Sequence, residues 1–305
     1  DRNGLRPLRY TLTSDGLVVM ASETGVLDIP AETIVQKGRI QPGRMFLVDT
    51  SEKRIVSDEE IKARVAAEKP YLEWVEAQRV HMKDLPPAPA APLADHETLE
   101  LRQNVFGYTA EVLRLLQPMV ETGGEAIGSM GTDTPLAILS SRPQSLFNYF
   151  KQLFAQVTNP PVDAIREELI MAAGTTMGPE HNLFDPQPVS AHQIDLRSPV
   201  IYNDEMDRLR ALDGWHGFRA RTLATVFRVG EGEQGLAGAL DALCAQASAA
   251  VADGCQILIL SDRGFDRDHA PMPSLLSCAA VHHHLLREGT RTRTCLVGES
   301  GEPRE

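Results

Sequence analysis

The sequence is poor in the residues that build metal centres and disulfide frameworks. Its four cysteines, Cys244, Cys255, Cys278 and Cys295, all lie in the last fifth of the 305-residue chain, and none forms a Cys-x-x-Cys pair with another. This spacing fits no zinc or iron–sulfur ligand pattern. Because each cysteine stands among apolar or small residues, we expect separate buried thiols in a protein of the reducing cytoplasm.

Other absences narrow the class of protein. No apolar run approaches the ~18 to 20 residues that cross a bilayer, so the sequence predicts no membrane span. The net charge of -12 would repel a phosphate backbone, and no basic stripe interleaved with aromatic residues offsets it, so we exclude nucleic-acid binding. With 42% hydrophobic and 24% charged residues, the chain has a soluble globular composition and the length for two cores.

The N-terminal part is predicted to be rich in strands. The opening stretch DRNGLRPLRY has neither methionine nor leader, and its first four residues are typical of a β-turn that enters a sheet, so we expect an internal piece of a longer chain. The stretches GLVVMAS (16–22) and RMFLVDT (44–50) predict short strands. A capping box, Ser57 with Glu60, then predicts the start of a helix.

A proline- and alanine-rich segment, DLPPAPAAPLAD, separates this part from the rest. With four prolines and only two large apolar residues, it should be extended and semi-rigid and should pack no core. We therefore predict a first domain over residues 1–83, a linker over 84–95 and a second domain over 96–305.

The second domain alternates helical and strand patterns. A helix with a buried face is predicted for Leu146 to Val157, followed by a stiff loop where Asn159, Pro160 and Pro161 stop it. Towards the C-terminus, CQILILSD predicts a fully buried strand and RTRTCLVGES predicts another strand, each preceded by a helical stretch. This β-α-β alternation predicts an α/β fold with a mainly parallel sheet and crossover helices.

Two polar residues follow the first of these buried strands. Asp262 and Arg263 stand where parallel α/β sheets usually place their binding sites, just past the carboxyl end of a strand. They are either part of a site or a simple loop ion pair. The run His282-His283-His284 is no metal site, since neighbours on a helix diverge by about 100°. Cys278 with His282, or His284 with Glu288, would share a face, but two ligands do not complete a zinc site.

Several stretches together resemble the large subunit of glutamate synthase. They are DRNGLRPLRY, ASETGVLDIP, QPGRMFLVDT, GTDTPLAILS, LFNYFKQLFAQVTNPPVDAIREELIM, GPEHNL, RSPVI, LILSDRG and AVHHHLLREGTRTRTCLVGESGEPRE. They cover nearly the whole chain in the order that the family has.

The resemblance implies a fold and an overall reaction. Residues 1–83 would be the C-terminal part of a class II glutamine amidotransferase domain, the β-rich tail of an Ntn-type αββα sandwich, and residues 96–305 the central domain. The whole enzyme would make two L-glutamate from L-glutamine and 2-oxoglutarate with reducing equivalents. Its partners would be the remaining domains of the large subunit and either a small NADPH-oxidising subunit or ferredoxin.

The resemblance also implies what this stretch of sequence does not contain. The family's nucleophile is an N-terminal cysteine, whereas position 1 is Asp1 and no cysteine precedes Cys244. FMN and an iron–sulfur cluster would belong to a synthase domain elsewhere in the enzyme. We therefore assign no catalytic, cofactor or metal residue here and expect the stretch to be inactive alone.

A connecting role gives some residues a candidate function. Ammonia would pass from the glutaminase site to the synthase site, and we expect residues at the domain interface to shape that route. The candidates are Asn159, Pro160, Pro161, Asp163, Arg166, Glu167, Asp262 and Arg263. In the alternative interpretation, the prolines only end a helix. A different function also stays open: a free-standing α/β module that binds a small anion at Asp262 and Arg263.

Overall fold

A computed structural model describes residues 7–41, 43–92, 96–124, 129–158, 162 and 171–303. These residues fall into two compact units. The first runs up to Glu76 and includes Met171, and the second takes the described residues from Ala77 onwards apart from Met171. The predicted turn over the first four residues lies outside the described part of the chain.

The first unit is built on an antiparallel sheet. Its elements are β1 (Arg9–Thr13), β2 (Val18–Ala21), β3 (Ile34–Arg39), β4 (Leu47–Asp49), β5 (Arg54–Val56), α1 (Asp58–Ala66) and α2 (Tyr71–Gln78), the last of which reaches past the unit boundary. The strand order is β2-β1-β3, and β4 and β5 form a separate hairpin. Gly38 on β3 lies opposite Tyr10 on β1, where an added Cβ would stand 2.8 Å from the tyrosine ring. The strands predicted within residues 16–22 and 44–50 are confirmed as β2 and β4.

The start of α1 confirms half of the predicted capping box. The Ser57 hydroxyl accepts a hydrogen bond from the Glu60 amide at 3.2 Å. The Glu60 carboxylate does not return to the cap but accepts two hydrogen bonds, at 2.6 and 2.7 Å, from Arg54. A guanidinium that donates two hydrogen bonds to a carboxylate is a stronger donor than a single backbone amide, which accounts for the difference.

The second unit contains the parallel sheet. Its strands are β6 (Val80–His81), β7 (Ser129–Met130), β8 (Gln156–Val157), β9 (Thr175–Met177), β10 (Ile194–Leu196), β11 (Asp213–Trp215), β12 (Phe218–Ala224), β13 (Val226–Arg228), β14 (Ile257–Ser261), β15 (His269–Pro271) and β16 (Cys295–Glu299). Its helices are α3 (Leu99–Val105), α4 (Ala110–Thr122), α5 (Asn203–Arg210), α6 (Gly232–Ala252) and α7 (Ser274–Arg287). The main sheet has the order β11-β12-β14-β16, in which β14 is parallel to both β12 and β16. The prediction of parallel strands joined by crossover helices is confirmed.

Strand β14 is buried on both faces, as its continuous apolar run predicts. Ile257 and Ile259 pack into one core with residues of α5, β9 and β10. Leu258 and Leu260 point the other way and pack against α6 and α7. Both crossover helices therefore cover one face of the sheet, and α5 with the small sheet β6-β10-β9 covers the other.

Helix α6, with the turn before it, bears on the expectation that no apolar run is long enough to cross a membrane. By length and composition alone, Val229–Ala252 is long and apolar enough to cross a membrane, with a mean hydropathy of 1.3. In the structure, 28% of the apolar window of this stretch is buried. Leu243, Ala247 and Val251 recur at helical spacing and are buried in the core with Leu258 of β14. The helix ends at Ala252, and Gly254 just beyond it adopts a positive φ of 82°.

Two other expectations about the second unit are wrong. Residues Leu146–Tyr149 form only a 3₁₀ turn, and the chain then extends into β8, leaving Phe150 and Leu153 72% and 73% exposed. Aromatic residues are modest helix formers, and nothing described covers this face to offset the cost of helix nucleation. In the linker, Leu85 is buried beside Met82 in the core, so this segment does contribute to packing.

Candidate functional site

An open cleft of about 1480 Å³ lies in the second unit at the carboxyl ends of β14 and β16. The polar groups that line it at this edge come from α5, the start of α7, the end of β16 and the loops after β14 and β16, namely Asn203, Asp207, Asp262, Arg263, Ser274, Glu299 and Ser300. Its apolar wall includes Phe106 and Phe265, whose rings meet edge to face with centroids 5.3 Å apart. The position agrees with the rule that parallel sheets place sites at their carboxyl edge.

Asp262 is buried in this cleft, with 4% of its surface exposed. Its backbone is fixed because the amide donates to the Glu299 carbonyl at 3.2 Å. Burial raises the pKa of the Asp262 carboxyl, and the charges of Glu299 and Glu302 raise it further, while hydrogen bonds from Ser300 and Gly301 act in the opposite direction. This carboxyl therefore holds its proton to a higher pH than an exposed aspartate does.

Arg263 does not form the loop ion pair with Asp262 that the sequence left open. Its Nε donates to Glu299 Oε1 at 2.5 Å, and one Nη donates to Asn203 Oδ1 at 3.3 Å. A small anion at Arg263 would compete with this short charge-assisted bond. This contact weighs against the anion-binding alternative.

Glu299 is the centre of the polar cluster. One carboxylate oxygen accepts from Arg210 at 2.7 Å as well as from Arg263, and the other accepts from the Ser261 hydroxyl at 2.6 Å. Burial raises the pKa of Glu299, but these three hydrogen bonds outweigh it, so the pKa lies below its ordinary value. The residue is thus a fixed anion. Arg210 also binds Asp207 at 2.7 Å, which extends the cluster along α5.

The chain after β16 is held at two further points. Glu302 Oε2 accepts from the backbone amide and hydroxyl of Ser274, at 2.6 and 2.7 Å, at the first turn of α7. The Tyr108 hydroxyl donates to the Gly301 carbonyl at 3.1 Å. An added Cβ at Gly301 would lie 2.7 Å from the Phe106 ring, so only glycine fits there without a shift. The cleft wall is therefore well fixed.

The structure describes two of the eight candidate residues and places both in this cleft. These are Asp262 and Arg263. The other candidates, Asn159, Pro160, Pro161, Asp163, Arg166 and Glu167, lie outside the described residues.

The residues missed by sequence reasoning are Asp207, Arg210, Glu299 and Glu302. Glu299 could have been found, because it ends a predicted parallel strand just as Ser261 does. Asp207 and Arg210 depend on folding, since they come from α5, and Arg210 is 89 residues away from Glu299 in the sequence. Glu302 follows Glu299 closely, but its contact with Ser274 spans 28 residues.

The histidine run does not build a metal site. His282 Nδ1 accepts from Arg291 Nε at 3.0 Å. His284 Nε2 lies 2.8 Å from the Ser248 hydroxyl and 3.3 Å from Glu288, the partner that shares its face. Across the described ranges, no three His, Cys, Asp or Glu side chains are grouped to hold a metal.

The four cysteines also stand apart, and none is in a disulfide. Cys255 is buried, but Cys278 is exposed, which corrects the expectation that all four are buried. The cysteines therefore do not fit an iron–sulfur cluster, which needs several thiolates around one centre.

Comparisons with known proteins match two segments of the sequence to two families. The family described as glutamate synthase central domain matches residues 101–305. The family of class II glutamine amidotransferases matches residues 1–74.

Individual relatives match over almost the whole chain. The chain is 41% identical over 306 residues to the large chain of a glutamate synthase [NADPH] of Bacillus subtilis, covering 100% of this chain and 20% of that protein. It is 40% identical to ferredoxin-dependent glutamate synthase 2 of Synechocystis, covering 99% and 19%. It is 38% identical to a glutamate synthase [NADH] of Schizosaccharomyces pombe, covering 100% and 15%. The chain thus spans a fifth or less of the length of these relatives.

Proposed function

Because the chain belongs to the glutamate synthase family, we propose that it is the part of a large chain that connects a glutaminase site to a synthase site. The observation that carries this proposal is the order of the matches. An amidotransferase segment over residues 1–74 precedes a central-domain segment over 101–305, in one continuous alignment with glutamate synthases. The first segment would complete an αββα sandwich together with the preceding part of such a chain.

The reaction of the complete enzyme would convert L-glutamine and 2-oxoglutarate to two L-glutamate. Electrons would come from NADPH through a small subunit or from ferredoxin. Both donors are kept because relatives named for each donor are about equally similar to this chain, at 41% and 40% identity. FMN and an iron–sulfur cluster would supply electron transfer from other domains. The four cysteines described above stand apart from one another, which fits the assignment of the iron–sulfur cluster to another domain. We further propose a cytoplasmic location, which unpaired cysteines support.

The connecting role has a physical basis. At neutral pH, ammonia released into water is mostly protonated to ammonium, which is a poor nucleophile, so a protected route between the two sites preserves its reactivity. We propose that the TNPPVD loop with Arg166 and Glu167, together with Asp262 and Arg263, helps to shape the interface around that route.

Complementation tests the proposed function. The 305-residue chain would be assayed alone and together with separately expressed glutaminase and synthase portions, following glutamine hydrolysis and glutamate formation. We expect no turnover by the chain alone and coupled synthesis from the mixture. Glutamine hydrolysis by the chain alone would contradict the assignment of the nucleophile to another part of the enzyme.

A separate variant series tests the interface residues. In the complete enzyme, Asn159→Ala or Glu167→Ala should raise glutamine hydrolysis relative to glutamate formation, because ammonia would escape. Asp268→Ala, an exposed loop residue outside the candidate set, serves as the control. An unchanged ratio in both interface variants would remove these residues from the route.

A further inference from the structure

Asp262 has no cationic partner in the described part of the chain, although it is buried in a cleft. Among the described residues, no arginine, lysine or histidine forms an ion pair with it. Its hydrogen-bond partners are the Ser300 hydroxyl and the Gly301 backbone. Arg263, its neighbour in sequence, instead donates to Glu299 and Asn203. A buried carboxylate without a counter-ion is costly, and a bound cation would offset that cost.

The charges around Asp262 also favour a cation. Carboxylates at or beside this edge of the cleft belong to Asp207, Asp262, Glu299 and Glu302, and guanidinium groups belong to Arg102, Arg210 and Arg263. Arg210 binds both Asp207 and Glu299, and Arg263 adds a second bond to Glu299. Among the described residues, this network leaves Asp262 and Glu302 without an arginine partner, and of these two only Asp262 lines the cleft.

The wall beside Asp262 is aromatic rather than rich in oxygen ligands. Phe106, Tyr108 and Phe265 line the cleft next to Gly301, whose backbone contacts Asp262. The faces of aromatic rings attract ammonium cations. A hard metal ion would instead need six or more oxygen ligands, and the described residues group fewer than three candidate ligand side chains at any point.

We propose that this corner of the cleft, the Asp262 pocket (Phe106, Tyr108, Asp262, Phe265 and Gly301), binds a primary ammonium group. The Asp262 carboxylate is the counter-ion and hydrogen-bond acceptor, and the aromatic rings exclude water on the other side. The proposal goes beyond the connecting role, because binding at this pocket needs no glutamine hydrolysis and no second domain.

Titration of the 305-residue chain with methylammonium chloride tests the pocket. Calorimetry or amide chemical shifts would report binding, with sodium chloride adjusted to keep ionic strength constant. We expect saturable binding that weakens about tenfold or more in Asp262→Asn, the size of effect that follows from losing one charged hydrogen bond. Asp268→Asn removes one carboxylate from an exposed position of the same loop and should bind as the unmodified chain does.

Ligand choice and pH complete the test. Preference for ammonium chloride over methylammonium would identify the free ion as ligand, whereas tighter binding of methylammonium or of glutamine would identify an organic amine. Lowering the pH through the raised pKa of Asp262 should weaken binding, because the protonated carboxyl is no longer a counter-ion. The other charged groups nearby are Glu299, Glu302 and Arg263. Equal binding by Asp262→Asn, or no binding beyond that of sodium, would overturn the proposal.

Discussion

Arg263 and Glu299 join the ends of two neighbouring parallel strands. Arg263 follows β14, Glu299 ends β16, and the guanidinium Nε donates to the carboxylate at 2.5 Å across 36 residues of sequence. Arg210 binds the same oxygen from α5 at 2.7 Å. One carboxylate thus connects a helix to both strands at the edge of the sheet where the cleft opens.

Replacing Glu299 by glutamine should destabilise the second unit. The carboxylate is only 10% exposed and accepts three hydrogen bonds, two of them from arginines, so losing its charge leaves both guanidinium groups poorly paired. We expect a loss of about 2 to 3 kcal/mol in the free energy of unfolding, measured by urea denaturation at pH 7. Glu233→Gln, at an exposed position of α6, should change it by less than about 0.5 kcal/mol.

The same carboxylate predicts how stability depends on pH. The pKa of Glu299 is lowered in the folded state, so its contribution is present above the ordinary pKa of 4.5 and is lost as pH falls through the folded-state pKa. The difference in unfolding free energy between the unmodified chain and Glu299→Gln should therefore shrink below about pH 4.5. A constant difference down to acid pH would contradict this role.

Glu302 should act as the N-terminal cap of α7. The residue before this helix is Pro273, which supplies no side-chain cap, and the Glu302 carboxylate accepts from Ser274 instead. Glu302→Ala should cost about 1 kcal/mol, as the loss of an N-cap usually does, and should speed amide hydrogen exchange in the first turn of α7. Glu302→Gln keeps a side-chain oxygen that can accept the hydrogen bond, so it should reduce the free energy of unfolding by less. Identical exchange in all three proteins would show that the contact does not cap the helix.

The central sheet was predictable because its signals are local. The residues of β14 are apolar throughout and follow a helix that ends at Gly254, and β16 follows α7 in the same way. Such runs indicate parallel strands without knowledge of their neighbours.

The Glu299 cluster was not predictable in this way, because its members meet only after folding. Arg210 and Glu299 are 89 residues apart, and the sequence gives no reason to pair them. For the segment from Leu146 to Val157, the sequence instead predicted a helix that the structure does not have. Its apolar spacing resembles a helix face, yet the described structure leaves Phe150 and Leu153 exposed. The periodicity of apolar residues indicates which side chains would be buried on a helix face. It does not indicate whether other residues of the chain pack against that face.

Gly301→Ala should destabilise the chain through Phe106. An alanine Cβ would lie 2.7 Å from the ring, so the ring or the strand end must move, which typically costs about 1 to 3 kcal/mol. Gly298→Ala, on β16, has open space around the added Cβ and should be nearly neutral. Urea denaturation of both variants checks the contrast, and equal stability of the two would show that the Phe106 contact relaxes freely.

The four cysteines should differ sharply in reactivity towards a thiol reagent such as 5,5′-dithiobis(2-nitrobenzoic acid). Cys278 is exposed on α7, whereas Cys255 is buried and burial raises the pKa of Cys295 to about 12. Since the thiolate is the reactive form, we expect the native chain at pH 8 to show one thiol that reacts about tenfold or more faster than the rest. Although Cys278 is exposed, neighbouring groups partly desolvate its thiol and raise its pKa, so this thiol should still react more slowly than free cysteine. Cys278→Ser should abolish the fast phase and Cys255→Ser should leave it intact; the reverse pattern would place the accessible thiol elsewhere in the fold.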